Sequence, residues 1–321
     1  MVKKINDAIE KADSIGIGGH IRPDGDCVGA CLGFYYYLQT KFPEKTIHLY
    51  LEYVQDEFQF LKFAECILTE ADGEFLEKPY DIFVSLDCGD AKRLGFSELL
   101  FHNARVTINI DHHVSNPDFA KLNYVLADAS STCEVLYHII DKEYMDTNLA
   151  QALYTGIIHD TGVFKHSNTS RKTMEIAGDL MSYQIPFSKI IDETFYQKTY
   201  LQNQILGRCL LESMMILDGK CIVSSVSKKM MNFYGTTPKD LEGVIDQLRV
   251  TKDVEVAVLI HELDTQKYKI SMRSNGEVNV SKIAILFGGG GHIKAAGCTL
   301  FGTLHDVINN IGAQLAAQLE K

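Results

Sequence analysis

The sequence predicts an α/β protein: a parallel-sheet N-terminal domain and a smaller α/β C-terminal domain, with a cleft between them. Three observations carry this. Short β-rich runs alternate with helical stretches from Ser14 to Ile110. Each run is nearly all apolar, as strands of a sheet covered on both faces must be. Strand and helix patterns then resume after residue 212, behind a connecting segment. The expected boundaries are 1–187 for the first domain, 188–212 for a helical connector and 213–321 for the second domain.

A short amphipathic helix over 4–13 leads into a strand at 14–20. Small and apolar residues from Gly25 to Phe42 form the next helix. Residues 46–51, 81–87 and 105–110 read as the second, third and fourth strands. Ser130-Ser131-Thr132-Cys133-Glu134 supplies N-cap chemistry for a helix. Further helices are expected over 148–160 and 173–183, then, after a break at Pro186, one long helix over 188–211. The second domain should hold strands at 213–218, 220–226, 254–262 and 267–273. Its helices are expected at 229–235, 238–248, 279–286 and 305–319.

The 321 residues are 46% hydrophobic and 23% charged, enough for two real cores. Apolar runs stop short of the roughly 18–20 residues of a membrane span, and no signal-peptide segment follows Met1-Val2-Lys3-Lys4-Ile5. Eight cysteines without a CxxC pair read as buried thiols in a reducing cytoplasm, the expected location. A formal net charge of −11 excludes long duplex nucleic acid as a partner, while leaving small phosphorylated substrates open.

In parallel sheets, ligands collect at the carboxyl ends of strands. Three groups of polar residues fall there: His20-Ile21-Arg22-Pro23-Asp24-Gly25-Asp26, Asp87, and Asp111-His112-His113. A fourth, Asp160, closes a helix before Gly162. Asp24 and Asp26 have a second reading as caps of the helix they precede. Asp90 reads as an N-cap, and His159, beside Asp160, faces elsewhere on its helix. The candidate ligands are then His20, Asp24, Asp26, Asp87, His112 and Asp160. Mixed carboxylate and imidazole donors suit Mn²⁺ first, with Mg²⁺, Co²⁺ and Fe²⁺ as competitors. Gly288-Gly289-Gly290-Gly291 is either a flexible turn or a backbone that approaches an anion. Lys165, His166, Arg171 and Lys172 follow Asp160 and could add positive charge to the cleft, but solvated surface is the default reading of each.

Taken together, these segments resemble the DHH phosphoesterase family, named for the Asp-His-His tripeptide. The C-terminal part, through Ser271-Met272-Arg273-Ser274 and Gly288-Gly289-Gly290-Gly291-His292, resembles the DHHA1 accessory domain. Ala30 stands where a serine is often found, and Cys88-Gly89 follows the second motif; neither departure removes a ligand.

The resemblance implies two divalent ions. His20, Asp24 and Asp87 would hold one; Asp26, Asp87, His112 and Asp160 would hold the other, with Asp87 bridging. It places His113 beside the reacting phosphate and Asp111 behind the histidines. Substrate would be gripped by Arg273, Ser274, Gly289, Gly290, Gly291 and His292. Two-domain members of this size, of the NrnA type, imply metal-dependent hydrolysis of short single-stranded RNA and of 3′-phosphoadenosine 5′-phosphate. The alternatives are a phosphodiesterase of cyclic or linear dinucleotides and, more remotely, a non-catalytic nucleotide-binding protein. No membrane partner is expected, and a homodimer is compatible with the reading.

Overall fold

The computed structural model describes residues 1–73 and 79–319, in two compact units, Met1–Gln197 and Lys198–Lys321. The first unit runs α1 (Val2–Lys11), β1 (Ser14–Gly18), α2 (Gly25–Lys41), β2 (Thr46–Tyr50), β3 (Ile67–Leu68), β4 (Ile82–Leu86), α3 (Glu98–Asn103), β5 (Val106–Asp111), β6 (Leu122–Val125), α4 (Thr132–Tyr137), α5 (Thr147–Asp160), α6 (Arg171–Ser182) and α7 (Phe187–Ile191). Its sheet has the order β3-β2-β1-β4-β5-β6, every pair parallel. Both faces are covered, which explains the nearly unbroken apolar runs. Ile82, Val84 and Leu86 of β4 face the main core. Phe83 points the other way, into a cluster with Tyr50, Tyr80 and Phe101.

The strand order reverses between β1 and β4, because β1 is followed outward by β2 on one side while β4 lies on the other. At such a switch point the loops leaving the two strands diverge and open a crevice. The segments carrying His20 and Asp87 flank it.

The second unit runs α8 (Tyr200–Leu211), β7 (Met214–Ile216), β8 (Cys221–Val226), α9 (Lys228–Tyr234), α10 (Val244–Arg249), β9 (Val256–Asp264), β10 (Lys267–Ser274), α11 (Val280–Leu286), β11 (Gly290–His292), β12 (Ala295–Phe301) and α12 (Leu304–Leu319). Its sheet, β11-β12-β10-β9-β8-β7, is antiparallel except for β8 and β9. Val256, Val258 and Ile260 pack under α11 and α12, while Ala257 and Leu259 pack under α8, α9 and α10.

The connector differs from the expected single helix over 188–211. After α7 the chain makes a π turn at Asp192–Tyr196, extends at Gln197, and starts again at α8. The physical cause is a capping box: Thr199 accepts from the Gln202 N–H, and the Gln202 side chain accepts from the Thr199 N–H. Ile190 belongs to the first unit's core, Ile205 and Cys209 to the second's. Among the described residues no helix is long and apolar enough to cross a membrane.

Candidate metal centre

Each ligand candidate is placed by a local device. His20 follows β1, and its Nδ1 meets the Ile21 carbonyl at 2.9 Å, which turns Nε2 toward Asp24 and Asp87, 3.5 Å from an oxygen of each. Asp24 caps α2, but with one oxygen only. Its Oδ1 accepts the N–H groups of Asp26 and Cys27 at 3.1 Å, while Oδ2 faces His20. Cap and ligand are therefore compatible roles for this residue.

Asp26 does not cap its own helix. It is wholly buried and accepts from the Thr132 and Cys133 N–H groups, at 2.6 and 3.0 Å. Those two amides open α4, so the cap chemistry read at Ser130–Glu134 also seats a carboxylate from α2.

Asp87 stands just past β4 with φ +57°, a left-handed conformation uncommon outside glycine. That turn of the backbone aims its two oxygens at different imidazoles. Oδ2 lies 3.5 Å from His20 Nε2, and Oδ1 lies 3.6 Å from His112 Nε2. The Thr132 hydroxyl donates to Oδ1 at 2.9 Å. His112 Nε2 also lies 3.1 Å from Asp160 Oδ2. Donor atoms of Asp26, His112 and Asp160 all fall within 4.8 Å of one another, as do those of Asp87, His112 and His113.

The second unit has its own constellation. Arg273 of β10 pairs with Ala295 of β12, which pairs with His292 of β11. Directly paired residues point to one face, so Arg273 and His292 stand on the same face, two strands or about 10 Å apart, with only a methyl group between them. Ser274 follows Arg273 and points to the opposite face, where its hydroxyl is buried without a hydrogen-bond partner. Its side chain therefore does not join Arg273. The glycines are partly explained by packing: a Cβ on Gly289 would come within 2.2 Å of the Gly297 carbonyl, and one on Gly291 within 2.5 Å of the Ala295 carbonyl. A Cβ on Gly290 would meet nothing within 4 Å.

The DHH family N-terminal domain matches residues 14–157, from β1 into α5, and the DHHA1 domain matches residues 218–320. The chain belongs to the DHH/DHHA1 phosphoesterase family. Similar proteins include one named bifunctional oligoribonuclease and PAP phosphatase NrnA from Thermus thermophilus, 27% identical over 94% of this chain and 88% of its own. Another of that name, from Bacillus subtilis, is 26% identical over 90% of each chain. An exopolyphosphatase-related protein from Bacteroides fragilis superposes with a TM-score of 0.86 at 25% identity, covering 100% of this chain and 97% of that one.

Within this DHH domain, the tripeptide that names the family divides its work. Asp111 is fully buried at the end of β5, and its Oδ1 accepts a hydrogen bond from His113 Nδ1 at 2.7 Å. The expectation that Asp111 stands behind both histidines needs narrowing: His112 instead directs Nδ1 at the Ala129 carbonyl, 3.4 Å away. Asn116 completes the support. Its amide donates to Asp111 Oδ2 at 2.6 Å and to the Cys88 carbonyl at 3.1 Å. His159 directs its Nε2 at the Thr194 hydroxyl, 2.9 Å away, and not at the candidate ligands.

Sequence reasoning missed Asn116, and it credited Thr132 and Cys133 only with opening a helix. Cys27 is a buried thiol, as expected; its sulfur accepts the His20 N–H at 3.2 Å and lies among the His20 and Asp87 donors. Burial pushes this thiol well up, so it serves as a neutral packing group.

Crowded acids dominate the electrostatics. Burial, then the charges of Asp87 and Asp160, raises the Asp26 carboxyl well above the usual range. Burial alone would lower His112, but the Asp160 hydrogen bond and the charges of Asp26 and Asp87 outweigh it and push the imidazole up to about 10. His113 is raised by its hydrogen bond to Asp111, against burial.

Linkage gives the sign. A histidine raised from 6.5 to about 10 stabilises the metal-free fold fully below pH 6.5, and that contribution disappears as pH climbs through 10. The raised Asp26 acts in the same direction. A divalent cation held by these groups would replace the protons. Added Mg²⁺ should therefore raise the thermal midpoint more at about pH 8.5 than at about pH 6.5. Equal shifts at the two pH values, measured against EDTA-treated protein, would contradict this account.

Proposed function

We propose that the protein is a metal-dependent phosphoesterase that hydrolyses short oligoribonucleotides and 3′-phosphoadenosine 5′-phosphate. The observation that carries the reading is the Asp87 carboxylate, one oxygen facing each of two imidazoles at the switch point of the sheet. The donor set fits divalent cations. Four carboxylates and two imidazole Nε2 atoms converge, and the packing of acids around them favours positive charge. His20, Asp24 and Asp87 would hold one ion, and Asp26, Asp87, His112 and Asp160 the other. Oxygen and imidazole donors suit Mn²⁺. Bound there, two cations supply activated water and neutralise charge on phosphoryl oxygens.

The chain's own residues do the rest. Asp111 holds the His113 proton at Nδ1, which leaves Nε2 directed outward from a ring that is 41% exposed. In the charged form favoured by Asp111, that Nε2–H donates to a phosphate oxygen or to the leaving oxygen. Thr132 and the α4 amides keep Asp87 and Asp26 in register. In the DHHA1 domain, Arg273 offers a planar fork for a phosphate, and His292 stands on the same face. These two residues, with the backbone of Gly289, Gly290 and Gly291, would bind a phosphate group.

The relatives named as oligoribonuclease and PAP phosphatase support this choice of substrate. The test is a panel of 3′-phosphoadenosine 5′-phosphate, RNAs of two to five nucleotides and cyclic dinucleotides, with Mn²⁺ present. Phosphate release from the first and mononucleotides from the second are expected. Arg273→Ala should raise KM for these substrates about tenfold or more, the scale of one charge-assisted hydrogen bond. Turnover of cyclic dinucleotides alone would overturn the proposal.

A further inference from the structure

A row of aromatic rings leads from the His20–Asp26 loop to the surface of the first unit. Gly25 lets the His159 ring lie directly against that loop, since a Cβ on Gly25 would come within 2.2 Å of His159 Cγ. Phe58 packs edge-on against His159 with ring centres 5.1 Å apart, and Phe195 does so at 5.7 Å. Tyr196 continues the row, 5.2 Å from Phe195. Phe195 and Tyr196 are 36% and 59% exposed.

The backbone under these two rings is the π turn at Asp192–Tyr196, a widened turn of a kind that recurs at functional sites. It is held from beneath. The Thr194 hydroxyl donates to the Ile190 carbonyl at 2.8 Å and accepts from His159 Nε2 at 2.9 Å. One histidine thus ties the ligand loop to the aromatic turn, and its two ring contacts fix where Phe195 stands. Core packing accounts for Phe58, but not for two successive aromatic side chains left open to solvent.

Single-stranded nucleic acid is bound by exposed aromatic faces on which bases stack, next to groups that take the phosphates. We propose that Phe195 and Tyr196 form such a stacking platform for a base of the substrate, a role that rests on the phosphoesterase reading above. The ligand class is a nucleotide or short oligonucleotide. Every base has a flat face, so the platform selects for the presence of a base and not for its identity.

The test compares 3′-phosphoadenosine 5′-phosphate with ribose 3,5-bisphosphate, which keeps both phosphates and lacks the base. Removing a stacking ring is worth roughly 5- to 150-fold in affinity. In Tyr196→Ala and Phe195→Ala the ratio of KM values, adenine-bearing over abasic, should rise about tenfold. Tyr196→Phe should leave the ratio as in the wild type, because stacking needs the ring and not the hydroxyl. Phe195→Leu serves if the alanine variant does not fold. An unchanged ratio in the variants, or equal weakening of both substrates, overturns the proposal. A second readout needs no turnover: quenching of a 2-aminopurine dinucleotide by the wild-type protein in EDTA, reduced in Tyr196→Ala. If the wild type with Mn²⁺ cleaves neither bisphosphate nor RNA, the phosphoesterase reading fails. If it cleaves them and the quench is absent, only the platform fails.

Discussion

Asp87→Asn is expected to lower kcat/KM by about 10³-fold or more at saturating Mn²⁺, beyond the roughly 10²–10³ lost with one charge-stabilising donor. The reason is geometric. One carboxylate serves both imidazoles, so losing its charge weakens two ligand sets together. Asparagine is the informative replacement because it tolerates the left-handed φ of +57° that alanine would adopt only at a cost of roughly 1–2 kcal/mol. Its amide oxygen also keeps an acceptor for the Thr132 hydroxyl. The variant should therefore fold, and circular dichroism checks that it does. Retention of more than about a tenth of wild-type activity under these conditions would sink the bridging role.

Gly156→Ala is expected to lower the rate on the order of 10²-fold, although Gly156 bears no chemistry. A Cβ at this position of α5 would lie 2.2 Å from the Cys133 sulfur and 2.6 Å from Asp26 Oδ1. Asp26 is held by two amides, one on each oxygen, so moving it away strains those hydrogen bonds. Alanine would ordinarily strengthen a helix by about 1 kcal/mol relative to glycine. Here overpacking, typically about 1–3 kcal/mol, reverses the sign. Displacing a ligand by about an ångström costs on the order of 10²-fold in rate. Gly178 of α6 provides the control, since a Cβ there meets nothing within 4 Å. Gly178→Ala should raise the thermal midpoint and leave kcat unaltered. If Gly156→Ala behaves like Gly178→Ala, the steric account is wrong.

These two cases mark where sequence reasoning reached and where it stopped. The four long strands of the first unit were legible because each is an apolar run bounded by turn chemistry. The six ligand candidates were legible because they cluster at strand and helix ends. β3 spans only Ile67–Leu68 and β6 only Leu122–Val125, whose residues are all half-buried, so neither leaves a clear pattern. β11 is built largely from glycine and reads as a turn. The division at Gln197 was hidden because Thr199 and Gln202 look like ordinary polar positions on a long helix. Asn116 was missed for a different reason: it acts through Asp111, and nothing local in its segment announces a partner five residues back.

The candidate ligands come from residues 20–26, 87, 111–113 and 160, which meet only when β1, β4, β5 and α5 are docked. A half-formed chain offers scattered carboxylates that repel one another and no cage for a cation. Metal binding at these residues would therefore follow the folding barrier, and its stabilisation would fall almost entirely on the rate of unfolding. An ion held there would be a latch on the finished domain: loading it would lengthen the lifetime of the native state while leaving the speed of folding nearly as it was.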